Sequence, residues 1–383
     1  MNFLPKLISY IRSEFGQGFI PLHEPKFLGN EKKYVNDAID STFVSSVGEY
    51  VDLFEKKISE FTGAKYAIAT GSGTSALHIS LLIVGVKEKT EVITQALSFV
   101  ATANAISYCG AKPIFLDVEK KTLGLCPNKV SDFLENETFQ NDNGCFNKST
   151  GAKISAIVPM HTFGHSCQIE KLVTVAKRYN IPVVEDAAES LGSYYKGKHT
   201  GTFGVTGAFS FNGNKIITCG GGGAIITNDE KLAKLAKHLT TTAKITHQWE
   251  YNHDQIGYNY RMPNLNAAMI CAQLEELPKI LNNKRNLAAR YIKFGKNNDI
   301  TFIKEPQDCK SNYWLNTICL SNKSERENIL EELNNHGIMC RPVWNLLSTM
   351  PMFQTSQTDR LENSHWLKDR IVNIPSSVVI NED

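Results

Sequence analysis

Short apolar segments alternate with segments of helical periodicity over residues 66–240. This alternation restricts the fold more than any other feature of the sequence. The apolar runs are nearly continuous, as is typical of strands that are buried on both faces of a sheet. Strands that alternate with helices favour a mostly parallel sheet covered by helices on both sides. The sequence therefore predicts an α/β fold, with strands near residues 66–70, 91–94, 113–117, 154–158, 182–186, 207–211 and 224–227.

The pattern changes after residue 263. A long helical segment over 267–296 is followed by short apolar runs, a helix over 325–336 and a strand over 338–343. This succession predicts a smaller α+β domain. We therefore expect a large domain over residues 20–265 and a small C-terminal domain over residues 266–383, with residues 1–19 as a candidate addition to the small domain.

Composition excludes several classes of function. The chain of 383 residues has 41 Lys and Arg against 39 Asp and Glu, and this balance argues against a nucleic-acid partner. Its 9 cysteines include no CxxC pair, which argues against a zinc or thioredoxin-like site, and we expect no metal. Widely spaced thiols, with no signal peptide and no membrane-length apolar segment, predict a cytoplasmic protein that does not associate with a membrane.

A glycine-rich segment, Thr70-Gly-Ser-Gly-Thr-Ser-Ala76, lies between a predicted strand and a predicted helix. The free N–H groups of a helix N-terminus bind anions, phosphate above all. The alternative is a simple turn in which Thr74 or Ser75 caps the helix. A dinucleotide site is a weaker alternative, because the next strand ends at Gln95 where that fingerprint requires an acid.

Two further residues suggest a cofactor when they are taken with this phosphate site. Asp186 ends a predicted strand, where carboxylates of parallel sheets point into the ligand crevice. Lys215 follows another strand and precedes four glycines, a setting in which a lysine amine can form an imine. Taken singly, Asp186 could be a helix cap and Lys215 a solvated lysine. Together, a phosphate site, an acid and a lysine match the requirements of pyridoxal phosphate.

Five further motifs follow one another along the chain, at residues 73–78, 98–104, 185–192, 209–215 and 257–262. Taken in this order, they resemble the motifs of the sugar-nucleotide aminotransferases of the DegT/StrS family. The resemblance covers about residues 20–380 and implies a fold-type I pyridoxal phosphate transferase, with a mostly parallel seven-stranded sheet and a smaller α+β C-terminal domain.

The resemblance implies roles for individual residues. It implies that Lys215 forms the Schiff base with the cofactor, that Asp186 faces the pyridine nitrogen and that Phe99 stacks on the ring. Glu189 stands where the family often has Gln or His near the ring hydroxyl, so its role is open. Asn259 matches a residue that reaches the cofactor of the partner subunit, which implies a homodimer with shared active sites. The implied phosphate contacts are Gly73, Thr74 and Ser210.

The predicted reaction is transfer of an amino group from glutamate to C4 of a nucleotide-linked sugar. The motifs at 161–165, 220–223 and 341–344 resemble the subgroup that acts on UDP-linked 4-keto-6-deoxy-N-acetylhexosamines, in bacillosamine or legionaminic acid pathways. Candidate substrate residues are Tyr260, Arg261 and His161. A GDP- or dTDP-linked 4-keto or 3-keto sugar is the alternative substrate, and a regulatory binding protein with the same fold is the alternative to an enzyme.

Overall fold

The computed structural model describes residues 3–379. The α-helices are α1 (Leu4–Phe15), α2 (Glu31–Asp40), α3 (Glu49–Thr62), α4 (Gly73–Ile83), α5 (Val100–Tyr108), α6 (Pro127–Glu137), α7 (Ile169–Arg178), α8 (Glu230–Thr240), α9 (Asn264–Lys296), α10 (Lys323–Asn335) and α11 (Glu362–Lys368). The strands are β1 (Tyr66–Thr70), β2 (Thr90–Gln95), β3 (Lys112–Leu116), β4 (Thr138–Asn141), β5 (Gly144–Asn147), β6 (Lys153–Val158), β7 (Val184–Asp186), β8 (Tyr194–Tyr195), β9 (Lys198–His199), β10 (Thr206–Ser210), β11 (Gly223–Thr227), β12 (Lys244–Ile245), β13 (Asn252–His253), β14 (Thr301–Phe302), β15 (Cys309–Lys310), β16 (Asn316–Cys319), β17 (Arg341–Pro342) and β18 (Ile371–Ile374).

Seven strands form the central sheet, in the order β1-β11-β10-β7-β6-β2-β3. Parallel bridges Ile157↔Val183 and Met160↔Asp186 join the segments of β6 and β7, and connect the two halves of the sheet. Only β11 runs antiparallel to its neighbours within this set. The mostly parallel seven-stranded sheet predicted from the sequence is therefore confirmed, and its strands are almost entirely buried, as their apolar composition requires.

A second sheet, in the order β14-β16-β18-β17, lies in the C-terminal part of the chain (residues 266–379) and is antiparallel throughout. The N-terminal helix α1 packs here, where Leu7 and Ile11 share one apolar cluster with Leu287, Tyr291 and Ile318. The strand predicted over 338–343 is reduced to β17 and a bridge between Ile20 and Ile338. The domain division at residue 265 stays a prediction.

Helix α9 is fastened to the C-terminal part of the chain through a buried lysine. Lys284 is fully buried, and its Nζ donates hydrogen bonds to the carbonyl oxygens of Trp314, at 3.0 Å, and of Ser376. Burial lowers the pKa of Lys284 to about 7, because the ammonium loses its hydration. Among residues 3–379, no helix combines the length and the apolar character needed to cross a bilayer.

The buried lysine predicts a pH-dependent stability. The pKa of Lys284 in the folded protein lies below its unfolded value of about 10.4, so the unfolded chain binds more protons between these two pKa values. Folding is therefore disfavoured at low pH, and stability rises with pH across this window. The free energy of unfolding is measured by urea denaturation for the wild type and for Lys284→Met. The value of the wild type minus that of the variant should rise by roughly 2.5 kcal/mol from pH 6 to pH 9.

Lys279→Met is the matched control, because Lys279 is an exposed lysine on the same helix. Its difference from the wild type should not change with pH. If the difference in unfolding free energy between the wild type and Lys284→Met were also independent of pH, the Lys284 amine would not be desolvated in the folded protein.

Candidate active site

A cavity of about 340 Å³ opens between the N-terminus of α4 and the ends of β7 and β10. This is the carboxyl edge of the parallel strands, where open α/β sheets bind their ligands. Two tryptophans from the C-terminal part, Trp314 and Trp344, complete the wall. Of the residues predicted from the sequence, those that line the cavity are Gly73, Thr74, Phe99, Asp186, Glu189, Ser210 and Lys215.

The first turn of α4 forms an anion cradle. Ser72 is the N-cap, and its Oγ accepts the Ser75 N–H at 3.0 Å, so neither Thr74 nor Ser75 has the capping role considered above. The first backbone bond of the helix runs from Ala76 N–H to Ser72 O. The N–H groups of Gly73 and Thr74 thus have no carbonyl within the helix, and both residues line the cavity. Free N–H groups at a helix N-terminus are suited to bind a phosphate.

The cradle requires glycine at position 73. A Cβ added to Gly73 would lie 2.6 Å from the Cβ of Ser210, at the end of β10. Helix α4 can therefore approach β10 closely only because residue 73 has no side chain. This close approach places the Ser210 hydroxyl beside the free N–H groups.

Asp186 is held in a fixed orientation at the end of β7. Thr102 Oγ1 donates to its Oδ2 at 2.7 Å, and the Ala188 N–H donates to its Oδ1 at 3.2 Å. Burial raises the pKa of Asp186, while the Thr102 hydrogen bond acts in the opposite direction. A buried carboxylate of this kind is stabilised by a cationic partner, such as a protonated ring nitrogen, that enters the cavity.

Lys215 lies at the cavity wall between a carboxylate and an aromatic ring. Its Nζ is 3.5 Å from Glu189 Oε1 and 4.2 Å from the centroid of the Trp314 ring. Glu189 also accepts the Phe163 N–H at 2.8 Å. Burial raises the pKa of Glu189 to about 7, and the Lys215 ammonium opposes this rise. The amine and the carboxyl group are close enough to interact directly.

The structure does not bring His161 to the cavity. Its side chain is fully buried, its Nε2 is 2.9 Å from Glu185 Oε2, and its Nδ1 accepts the Cys167 N–H at 3.3 Å. Both ring nitrogens are thus bonded within the protein core. His161 does not line the cavity, and its substrate role stays a prediction.

The segment that carries Asn259, Tyr260 and Arg261 passes beside the cradle without lining the cavity. Tyr260 O accepts the Gly71 N–H at 2.7 Å, and the Tyr260 hydroxyl is 3.3 Å from His78 Nδ1. Asn259 Oδ1 accepts from Arg261 Nε at 3.1 Å and from Nη2 at 2.9 Å. None of the three residues lines the cavity of its own subunit.

Three contributors were missed in the sequence: Thr102, Trp314 and Trp344. Thr102 lies within the motif at 98–104, and its position one helical turn after Phe99 was the available signal. No local pattern around Trp314 indicated a site, and Trp344 ends the motif at 341–344 without having been selected as a site residue. Both reach the cavity through long-range packing of the C-terminal part.

The residues present fit pyridoxal phosphate. The N–H groups of Gly73 and Thr74, with Ser210, would hold its phosphate, and Asp186 would face its ring nitrogen. Lys215 would supply the amine for its aldehyde carbon, and the exposed ring of Phe99 would supply an apolar face. The phosphate, the ring nitrogen, the aldehyde carbon and the ring face of the cofactor would thus each meet a residue of complementary chemistry.

The close approach at Gly73 predicts a defect in cofactor affinity. In Gly73→Ala the new methyl must displace either α4 or β10, which removes at least one charge-assisted hydrogen bond to the phosphate. We expect the affinity for pyridoxal phosphate to fall about tenfold or more, measured by absorbance titration. Gly18→Ala is the control, since a Cβ at Gly18 meets nothing within 4 Å and should leave the affinity unchanged. If Gly73→Ala bound pyridoxal phosphate as tightly as the wild type, the cradle would tolerate a side chain at position 73.

Comparison with known proteins identifies the family. The chain is 39% identical to GDP-perosamine synthase of Escherichia coli O157:H7 over 360 residues, covering 94% of this chain and 93% of the relative. It is 34% identical to GDP-perosamine synthase of Vibrio cholerae, covering 93% and 94%.

Solved structures agree with this assignment. The Helicobacter pylori aminotransferase PseC, involved in the biosynthesis of pseudoaminic acid, superposes with a TM-score of 0.85 at 25% identity, and the match covers 95% of both chains.

A sequence model of the DegT/DnrJ/EryC1/StrS aminotransferase family matches residues 26–383. The chain therefore belongs to the DegT/DnrJ/EryC1/StrS aminotransferase family and is an aminotransferase whose cofactor is pyridoxal phosphate.

Proposed function

We propose that the enzyme transfers the amino group of glutamate to C4 of a GDP-linked 4-keto-6-deoxyhexose. The observation that carries this proposal is the identity of 39% and 34% to two GDP-perosamine synthases over more than nine tenths of the chain. The UDP-linked N-acetylhexosamine predicted from the sequence is the second candidate, favoured by the motifs at 161–165 and 341–344. We rank it second because none of residues 161–165 lines the cavity.

Bound pyridoxal phosphate supplies an electron sink that stabilises negative charge at the carbon from which a proton is removed. In this proposal Lys215 carries that proton at its Nζ, taking it from the amino donor in one half of the cycle. In the other half it returns a proton at the same position. Its place between Glu189 and Trp314 keeps the amine at the cavity wall.

Asp186 maintains the electron demand of the cofactor ring in this scheme. An ionised carboxylate at the end of β7 keeps a facing ring nitrogen protonated. Thr102 supports this state, because its hydroxyl donates to Oδ2 and favours the ionised form. Trp314 and Trp344 cover the cavity from the C-terminal side and limit the access of water to the reacting carbon.

A panel of keto sugars tests the substrate. With glutamate as donor and 2-oxoglutarate release as the readout, GDP-4-keto-6-deoxymannose should give a kcat/KM at least tenfold above the UDP-linked 4-keto-6-deoxy-N-acetyl and dTDP-linked 4-keto-6-deoxy sugars. The preference is expected because binding of the wrong base leaves buried polar groups unpaired. Higher activity on the UDP-linked sugar would reverse the ranking, and activity on a 3-keto sugar alone would reject C4 amination.

We also propose that the enzyme is a homodimer whose subunits share active sites. Asn259 lies on a segment bonded to the cradle loop, yet its side chain does not line the cavity of its own subunit. Apolar side chains that would suit a subunit interface are exposed in the described part of the chain, among them Phe43, Trp249, Tyr251 and Ile256. In this arrangement Asn259 of one subunit reaches the cofactor of the other.

Mixing two inactive variants tests the shared site. Lys215→Ala lacks the amine, and Asn259→Ala lacks the cross-subunit contact, so each homodimer should be strongly impaired. In a mixed dimer, one site combines the intact Lys215 with the intact Asn259. Activity should therefore recover toward about a quarter of the wild-type value after co-refolding of equal amounts, since half of random dimers are mixed and each has one intact site. If the co-refolded mixture were no more active than the two separate variants, Asn259 would not belong to a shared site.

A further inference from the structure

Trp314 is fixed at three points in the wall of the cavity. Its backbone N–H donates to Asn312 Oδ1 at 2.8 Å, and its carbonyl oxygen accepts from Lys284 Nζ at 3.0 Å. Its indole Nε1–H donates to the carbonyl oxygen of Asn214 at 2.7 Å, so the ring is tied to the residue next to Lys215. With only 5% of its surface exposed, the side chain has little freedom to move.

This fixed ring faces the amine of Lys215. The Nζ atom lies 4.2 Å from the ring centroid, within the range in which the electron-rich face of an indole attracts a cation. Glu189 Oε1 lies 3.5 Å from the same nitrogen. Both neighbours are therefore close enough to hold the amine at this place in the cavity wall.

We infer that Trp314 is a positioning residue for Lys215: together with Glu189, its ring holds the amine at the cavity wall once the lysine has been released from the cofactor. The inference rests on the glutamate reaction proposed above. In that half-reaction the amino group of glutamate passes to the cofactor, water supplies the keto oxygen of 2-oxoglutarate, and the amine of Lys215 is released. The ring would stabilise the product side, where the lysine is free.

The position of this equilibrium is a readout that does not depend on turnover. The lysine-bound and amine forms of the cofactor absorb at different wavelengths, so their ratio can be measured at fixed ratios of glutamate to 2-oxoglutarate. The measurement uses the cofactor-loaded enzyme at a single pH of 8 for all variants. A change that only alters access to the site changes rates and leaves the equilibrium constant unchanged.

Three variants separate the contributions. Trp314→Leu removes the aromatic face and should lower the equilibrium constant for formation of the amine form by roughly 2- to 30-fold. Trp314→Phe, like Trp314→Leu, lacks the indole N–H but keeps an aromatic ring. Its equilibrium constant should therefore lie between those of Trp314→Leu and the wild type. Glu189→Gln keeps an acceptor for the Phe163 N–H, removes the charge, and should lower the constant independently.

Trp366→Phe is the matched control. Its ring lies 4.3 Å from Lys120 Nζ, so it is also a tryptophan that contacts a lysine, but it does not line the cavity. This variant should keep the wild-type constant.

The outcomes are distinct. Unchanged constants in Trp314→Leu and Glu189→Gln, beside a normal wild-type response to glutamate, would overturn this inference alone. If Trp314→Leu does not fold, unchanged constants in Trp314→Phe and Glu189→Gln overturn it equally. A wild-type enzyme whose absorbance does not respond to glutamate would overturn the proposed donor as well.

Discussion

The buried carboxylate of Glu185 holds together the segments on which the site is built. Its two oxygens accept the backbone N–H groups of Gly201, Phe203 and Gly204, and Oε2 also contacts His161. Burial alone would raise the pKa of Glu185, but these partners hold it below its ordinary value. Because neighbouring strand residues point to opposite faces, Glu185 joins β7 to the surrounding loops while Asp186 points into the cavity.

Part of this architecture was accessible from the sequence because it is local. Apolar runs that alternate with helical patterns predicted the sheet, and its seven strands lie where the runs are. Gly73, Asp186 and Lys215 could be selected because each follows a strand that ends at the same edge of a parallel sheet. The chemistry of each residue type then pointed to one part of the cofactor.

The remainder depended on long-range contacts that local patterns do not record. His161 suggested a substrate contact because its motif resembles that of one subgroup of the family, and only the structure shows Glu185 as its partner. Trp314 is separated from Lys215 by about a hundred residues of chain, and it reaches the site because Asn312 and Lys284 fix its backbone. The cap at Ser72 was obscured by Thr74 and Ser75, which are equally good capping residue types.

Lys284 also connects stability to chemistry. Burying its amine is costly, which makes this position an obvious target for stabilising the enzyme with an apolar residue. The same amine, however, holds the carbonyl group of Trp314 and so fixes the ring that faces Lys215. A more heat-resistant variant obtained at position 284 would therefore have a less firmly held Trp314 in its cavity wall. Thermal stability and the placement of Lys215 are thus coupled through a side chain that does not line the cavity.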